Sequence, residues 1–365
     1  MLPGKTLVEL AAELDRQNND KMDYLLDTRD LVMDADENGA MLTMLNRNNN
    51  SSTILGVNDI AHYQIGQALG IPAKYYEKMQ NENPALLAEN VNAWFMNEPK
   101  TRMIRTMTYD DNRKARAFLS DRYRRIDNYD IANTVIPMIG DMGLTQEAFV
   151  SNEVTDRRMY IKVVNKRLTR EVTPGDYVQS GVIITNSEVG MGTVTIQPLL
   201  YRLVCTNGMV VNDIKTRTRR RHVGRGNLAD EDYVLYADDT LLADDHALML
   251  KIRDTIKAAL DEVHFNNLIE QMHAATEVKI ETNHIPEMVQ LASTEFGYTK
   301  KEGEGILDHL IRGGDLSLYG FSNAVTRFAQ DVKSYDRSTE LEEIGYNILN
   351  MRPAVWNRLQ KAEAA

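Results

Sequence analysis

The spacing of apolar residues changes along the chain, and each change predicts a different kind of element. Over residues 5–27, Leu7, Leu10, Ala11 and Leu14 recur at helical intervals. Asn58 and Asp59 then cap a helix with Ile60, Ile65, Ala68 and Leu69 on its apolar side, and Gly70 ends it. Pro72 opens a helix with Tyr75, Tyr76 and Met79, and Pro84–Asn97 carries Leu86, Leu87, Val91, Trp94 and Phe95. Short strands at Leu31–Met33 and Met41–Leu45, and a polar loop at Asn46–Thr53, fall between these helices. The expectation for residues 1–100 is a mainly helical lobe.

Beyond residue 100 the period shortens. Met103, Arg105 and Met107 alternate with Arg102, Ile104 and Thr106, and alternation resumes over Ala115–Ser120 after Asp110-Asp111-Asn112. That is a hairpin with an acidic turn. Asp127-Asn128 caps a helix with Ile131, Val135, Ile136 and Ile139, and strands follow at Met159–Val164, Val178–Thr185 and Thr193–Val204. Asn207-Gly208 suits a turn that needs positive φ. A helical period then returns over 241–276 (Leu248, Ile252, Ile256, Leu260, Val263, Leu268, Ile269, Met272), as in one long helix that crosses a sheet or pairs with another subunit. Further helical patterns to the end are broken at Gly313-Gly314. The predicted class is α+β: a central antiparallel sheet with a long packing helix over 101–276, flanked by helical lobes at 1–100 and 277–365.

Composition sets limits on this picture. The 365 residues are 43% hydrophobic and 26% charged, ordinary for a globular chain with a sizeable core. No apolar run reaches the ~20 residues of a membrane helix, and no basic segment precedes an apolar one at the N-terminus. Cys205, the only cysteine, excludes an internal disulfide and reads as a small buried hydrophobe. A cytoplasmic setting without membrane contact is expected.

Charge carries the functional signal. The formal net charge is −11, yet Lys215, Arg217, Arg219, Arg220, Arg221 and Arg225 crowd one short stretch with Asp213 as the only acid. Such a run either contacts a polyanion or neutralises acidic surface on this chain or a neighbour. Basic residues interleaved with aromatics recur at Arg122-Tyr123-Arg124-Arg125, at Arg157-Arg158 with Tyr160, and at Tyr201-Arg202. Placed on one sheet, they would hold phosphates on arginine and stack bases on Tyr123 and Tyr160.

Catalytic candidates are few. The seven histidines include no metal-binding pair and have no cysteine partner, so neither metal nor cofactor is expected. No phosphate-binding glycine loop and no nucleophile elbow occur. Asp238, Asp239, Asp244 and Asp245 could hold a divalent ion in a nuclease, but read more simply as helix-terminal acids. The reading is not an enzyme, with a metal-dependent nuclease as a minor alternative.

The phrases HYQIGQALGIPAKYYEKM (62–79), LLAENVNAWF (86–95), RAFLSDRYRRIDNYDI (116–131) and RLVCTNGMVV (202–211) resemble the phage/plasmid-like proteins that carry domain of unknown function 932, over roughly residues 50–275. That resemblance implies a bacteriophage or mobile-element origin and supplies no catalytic residues. The order of basic hairpin, sheet and crossing helix is similar in outline to phage single-strand annealing proteins. The expected function is single-stranded DNA binding, extending to strand annealing, by a homo-oligomer. The alternative is a protein–protein factor, either a phage scaffold or an inhibitor of a host defence system.

Overall fold

In a computed structural model of the chain, residues 1–36, 39–47, 50–212, 218–220 and 238–362 are described, with backbone alone for 218–220, 238–242, 244 and 245. α1 (Leu7–Asp20) precedes β1 (Met22–Asp27), β2 (Leu31–Asp36), β3 (Gly39–Asn46) and β4 (Ser51–Val57). Next come α2 (Asp59–Ala68), α3 (Ala73–Glu82), α4 (Pro84–Asn97), β5 (Thr101–Tyr109), β6 (Asn112–Ser120) and α5 (Asn128–Asp141). A second group of strands is β7 (Phe149–Val154), β8 (Met159–Thr173), β9 (Asp176–Asn186), β10 (Val194–Arg202), β11 (Asn207–Val210) and β12 (Thr218–Arg220). The rest is helical: α6 (Asp238–Ala259), α7 (Glu262–Glu277), α8 (Ile285–Phe296), α9 (Lys300–Gly313), α10 (Leu318–Phe328), α11 (Tyr335–Leu349) and α12 (Pro353–Leu359).

The class is α+β with a helical C-terminal region, as expected, but the strands make two sheets. The first has the order β1-β5-β6-β4-β3-β2, antiparallel except where β4 runs parallel to β6. The second is antiparallel throughout, β11-β10-β9-β8-β7, and β12 shares with β11 the outer edge of β10. A boundary at residue 100 would cut the first sheet, because β1 pairs with β5 and β4 with β6. The first hundred residues therefore hold four of that sheet's six strands, with helices α2–α4 laid on it. Isolated strands of a few residues have no hydrophobic face of their own, so nothing local in 22–57 announces their distant partners.

Turn chemistry explains the hairpin and corrects another. Asp110 and Asp111 both take positive φ (47° and 64°), which makes the two-residue turn whose twist matches β5 and β6. At β10–β11, however, Arg202 pairs with Asn207, so the loop is 203–206 and positive φ falls on Thr206 (51°). Asn207 and Gly208 are already strand residues. Cys205, on that loop, is half-buried beside the Arg202 guanidinium and not in the core.

The expected single helix over 241–276 is broken. Asp261 caps α7 by accepting the His264 N–H (3.0 Å), and the break redirects the apolar stripe. Leu248, Ile252 and Ile256 of α6 pack with α1 and α5 on Met159, Ile161, Ile184 and Ile196, one face of the second sheet. Phe265, Leu268 and Met272 of α7 join α8–α12 against Val172, Val178, Leu200 and Met209, further along the same face, whereas Tyr160, Val164, Ile183 and Leu199 of the opposite face meet Tyr335 of α11. Except for Val263, which is 68% exposed, the described residues of that apolar stripe pack inside the chain.

Candidate nucleic-acid interface

The connection 187–193 between β9 and β10 is the point at which the basic segments meet. Its Gly190 takes φ +74°, and a Cβ there would lie 2.7 Å from Leu119 Cδ2, so only glycine lets β6 come this close. The Tyr123 hydroxyl donates to the Ser187 carbonyl (3.1 Å), tying the exit of the first hairpin to the loop. Arg158 donates from Nε and Nη2 to the Met191 carbonyl (3.1 and 2.8 Å). Immediately after the loop, Val194–Ile196 of β10 pair with Arg220–Thr218 of β12. One cross-strand row runs Tyr160, Thr185, Thr195, Arg219, which sets the Arg219 backbone roughly 14 Å from that of Tyr160 at about 4.8 Å per strand. The segments 122–125, 157–160 and 218–220 therefore gather at one end of the molecule. They do so from two sheets, not as successive pieces of one.

Within that gathering, several expected ligands of nucleic acid already have other work. Tyr160 is 1% exposed, packs its ring at a tilt against Tyr335 (centroids 5.1 Å apart) and donates its hydroxyl to Asp336 (2.6 Å), so it offers no face to a base. Burial, then Asp336, raises its phenol pKa. Tyr123 is half-buried, and burial raises its pKa too. Arg125 reaches Asp23 at 3.5 Å, and Arg202 donates to Asp176 (2.6 Å) beneath the Tyr319 ring. Strand residues of a two-layered core are flanked on both sides, and a Tyr or Arg there is a packing element first. Arg122, Arg125 and Arg157 remain exposed, and Arg124 and Arg158 are half-buried.

Beneath the surface lies a charged seam that the basic hairpin conceals. Arg105, fully buried, donates from Nε to Asp23 Oδ1 (2.9 Å), from Nη1 to the Glu188 carbonyl (2.9 Å) and from Nη2 to Asp127 Oδ1 (2.7 Å). Lys21 holds the other Asp127 oxygen (2.6 Å). Burial opposes charge on Asp127, but Arg105 and Lys21 outweigh it and hold the carboxyl at about 2. Arg116 donates to Glu188 Oε2 (2.5 Å), while Glu188 Oε1 accepts the Asn128 N–H at the start of α5 (2.6 Å). Asp127 was expected to cap that helix; Glu188 serves its amide instead, freeing Asp127 for Arg105. Arg113 likewise closes on Asp20 (2.9 Å). The hairpin's positive charge is largely answered from within, by acids that lie far away in sequence.

Lys215, Arg217, Arg221 and Arg225 lie outside the described residues, as do the side chains of Arg219, Arg220, Asp238, Asp239, Asp244 and Asp245. Among the described residues no group of three or more His, Cys, Asp and Glu converges to hold a metal ion, and no helix is long and apolar enough to cross a membrane.

An α+β core of this kind, with two sheets joined by a charged seam and a helical C-terminal region, defines the class. The chain belongs to the family described as Domain of unknown function (DUF932), whose match spans residues 116–356. The phrases at 116–131 and 202–211 lie inside that match, and those at 62–79 and 86–95 lie before it. No curated protein and no solved structure matches the chain.

Proposed function

We propose that this chain is a phage- or plasmid-borne protein of the cytoplasm that binds single-stranded nucleic acid along the arm 215–225. The observation that carries the reading is the arm itself: a concentrated run of arginine and lysine in a chain of net charge −11. Its strand portion, Thr218–Arg220, lies on the outer edge of β10, just after the loop 187–193 on which Tyr123 and Arg158 also close. Arg217, Arg219, Arg220 and Arg221 hold phosphates; Arg122, Arg124, Arg157 and Arg158 extend the track. Tyr160, buried on Asp336, has no part in stacking. Strand annealing by a homo-oligomer follows only if several copies align such tracks through surfaces other than α6 and α7.

Fluorescence-anisotropy titration of labelled single strands tests this, with wild type compared to Arg219→Ala/Arg220→Ala/Arg221→Ala. Binding that weakens with salt and falls at least about tenfold in the triple variant supports the arm. Absence of binding at low salt overturns it and favours the arm's other use, contact with an acidic protein surface.

A further inference from the structure

The helix pair α2–α3 touches the loop 187–193 only through Gln64, which donates to the Val189 carbonyl (2.7 Å), and it lies before the family match, yet its construction is specific. Asn58 caps α2 by accepting the Ala61 N–H (2.9 Å). The chain leaves α2 through Gly70 (φ +67°), and Ile71 and Pro72 lead directly into α3. The Ile71 N–H donates back to the Gly66 carbonyl (3.0 Å), which fixes the turn. At Gly66 a Cβ would lie 2.9 Å from Tyr76 Cδ2, so the second helix rests its aromatic ring on bare backbone of the first. Ile65, Tyr76 and Met79 are buried between the helices and the sheet beneath, with Leu69 and Ile71 packed at the margin. His62 Nδ1 and the Tyr76 hydroxyl meet at 2.9 Å; burial lowers His62 to about 4, so that contact joins neutral groups.

Two short helices, a brief turn containing glycine, and a small residue where the helices touch are the makings of a helix-turn-helix. What such a unit does depends on the outer face of its second helix. On α3 that face is Lys74, Glu77, Lys78 and Asn81, spaced i, i+3, i+4 and i+7 and all exposed, opposite buried Tyr76 and Met79. Lys78 meets Glu82 at 3.8 Å in solvent, a contact easily exchanged. These side-chain types match what the major groove displays: lysine for guanine O6 and N7, asparagine for adenine N6 and N7, and glutamate for the cytosine amino group. Tyr63 on α2 and Tyr75 on α3 are 46% and 47% exposed, and carry hydroxyls of the kind that meet phosphates.

We infer that α3 is a recognition helix that enters the major groove of duplex DNA, with Lys74, Glu77, Lys78 and Asn81 contacting base edges. This surface is separate from the arm and reads sequence, whereas the arm tracks charge.

The test is selection of a randomised duplex library on the full chain, followed by affinity measurement on any enriched sequence. Wild type and the Arg219→Ala/Arg220→Ala/Arg221→Ala variant should enrich the same motif. Lys74→Ala/Lys78→Ala/Asn81→Ala, all at exposed positions, should keep the wild-type melting profile and single-strand affinity. It should bind the motif at least about tenfold more weakly, since good base contacts discriminate by at least that factor. Failure of wild type to enrich any motif, or enrichment of the same motif by the α3 variant, overturns the inference. Loss of single-strand binding alone in the arm variant leaves α3 intact and so separates the two surfaces.

Discussion

Replacing Arg105 by methionine tests whether the seam between the sheets is structural. The guanidinium is fully buried and makes charge-assisted bonds to Asp23 and Asp127 and a third to the Glu188 carbonyl. Methionine fills much of the volume but leaves both carboxylates without their main partner. Breaking a buried ion pair from one side costs about 3–5 kcal/mol. Here Asp127 keeps Lys21 at 2.6 Å and Asp23 keeps Arg125 at 3.5 Å, which argues for the lower end, about 3 kcal/mol. In a chain of 365 residues that lowers the melting midpoint by roughly 4 °C. Calorimetry at neutral pH reads the shift, and Arg105→Met/Asp23→Asn should regain part of it because one stranded charge is gone. A shift under about 2 °C, or no recovery in the double variant, would refute the view that these charges hold the sheets together.

Other consequences follow from the same reasoning. Lys162 and Glu342 are both fully buried and paired at 2.6 Å, so Lys162→Met should destabilise by about 3–5 kcal/mol in urea melts, while Lys162→Met/Glu342→Leu recovers most of it. Equal loss in both variants would contradict a paired role. His62 lies at about 4 against its ordinary 6.5, so the unfolded chain takes up a proton first as pH falls. The stability that neutral His62 contributes is complete above pH 6.5 and is lost towards pH 4, up to about 3 kcal/mol, and His62→Gln should flatten urea midpoints across that window. An unchanged pH profile in that variant would assign the acid sensitivity elsewhere. Gly66→Ala should push Tyr76 off α2 and cost about 1–3 kcal/mol, with a changed tyrosine near-UV signal.

Much of the fold was legible where the information is local. Asn58, Gly70 and Pro72 mark their helix ends, Pro84–Asn97 is the observed α4, and Asp110-Asp111 turns its hairpin because short acidic side chains tolerate positive φ. What escaped depends on distant partners. The strands at 31–33 and 41–45 were expected, but β1 and β4 were not, and these are the two that pair with β5 and β6. The basic hairpin reads as a surface, yet Arg105 shares its strand face with Met103 and Met107, both buried, a hint of the interior that its charge obscures. Nothing near Arg105 in sequence names Asp23, Asp127 or Glu188. Tyr160 was misjudged for a similar reason: its partner, Asp336, arrives from α11.

The central claim is that the arm binds nucleic acid, and the salt dependence of single-strand affinity tests it most directly. For wild type, the logarithm of the binding constant should fall linearly with that of salt, at about 0.7 per phosphate engaged on single strands. Removing Arg219, Arg220 and Arg221 should reduce that slope by roughly 2. A variant that loses affinity with an unchanged slope, or a wild type that does not bind at low salt, would contradict the claim.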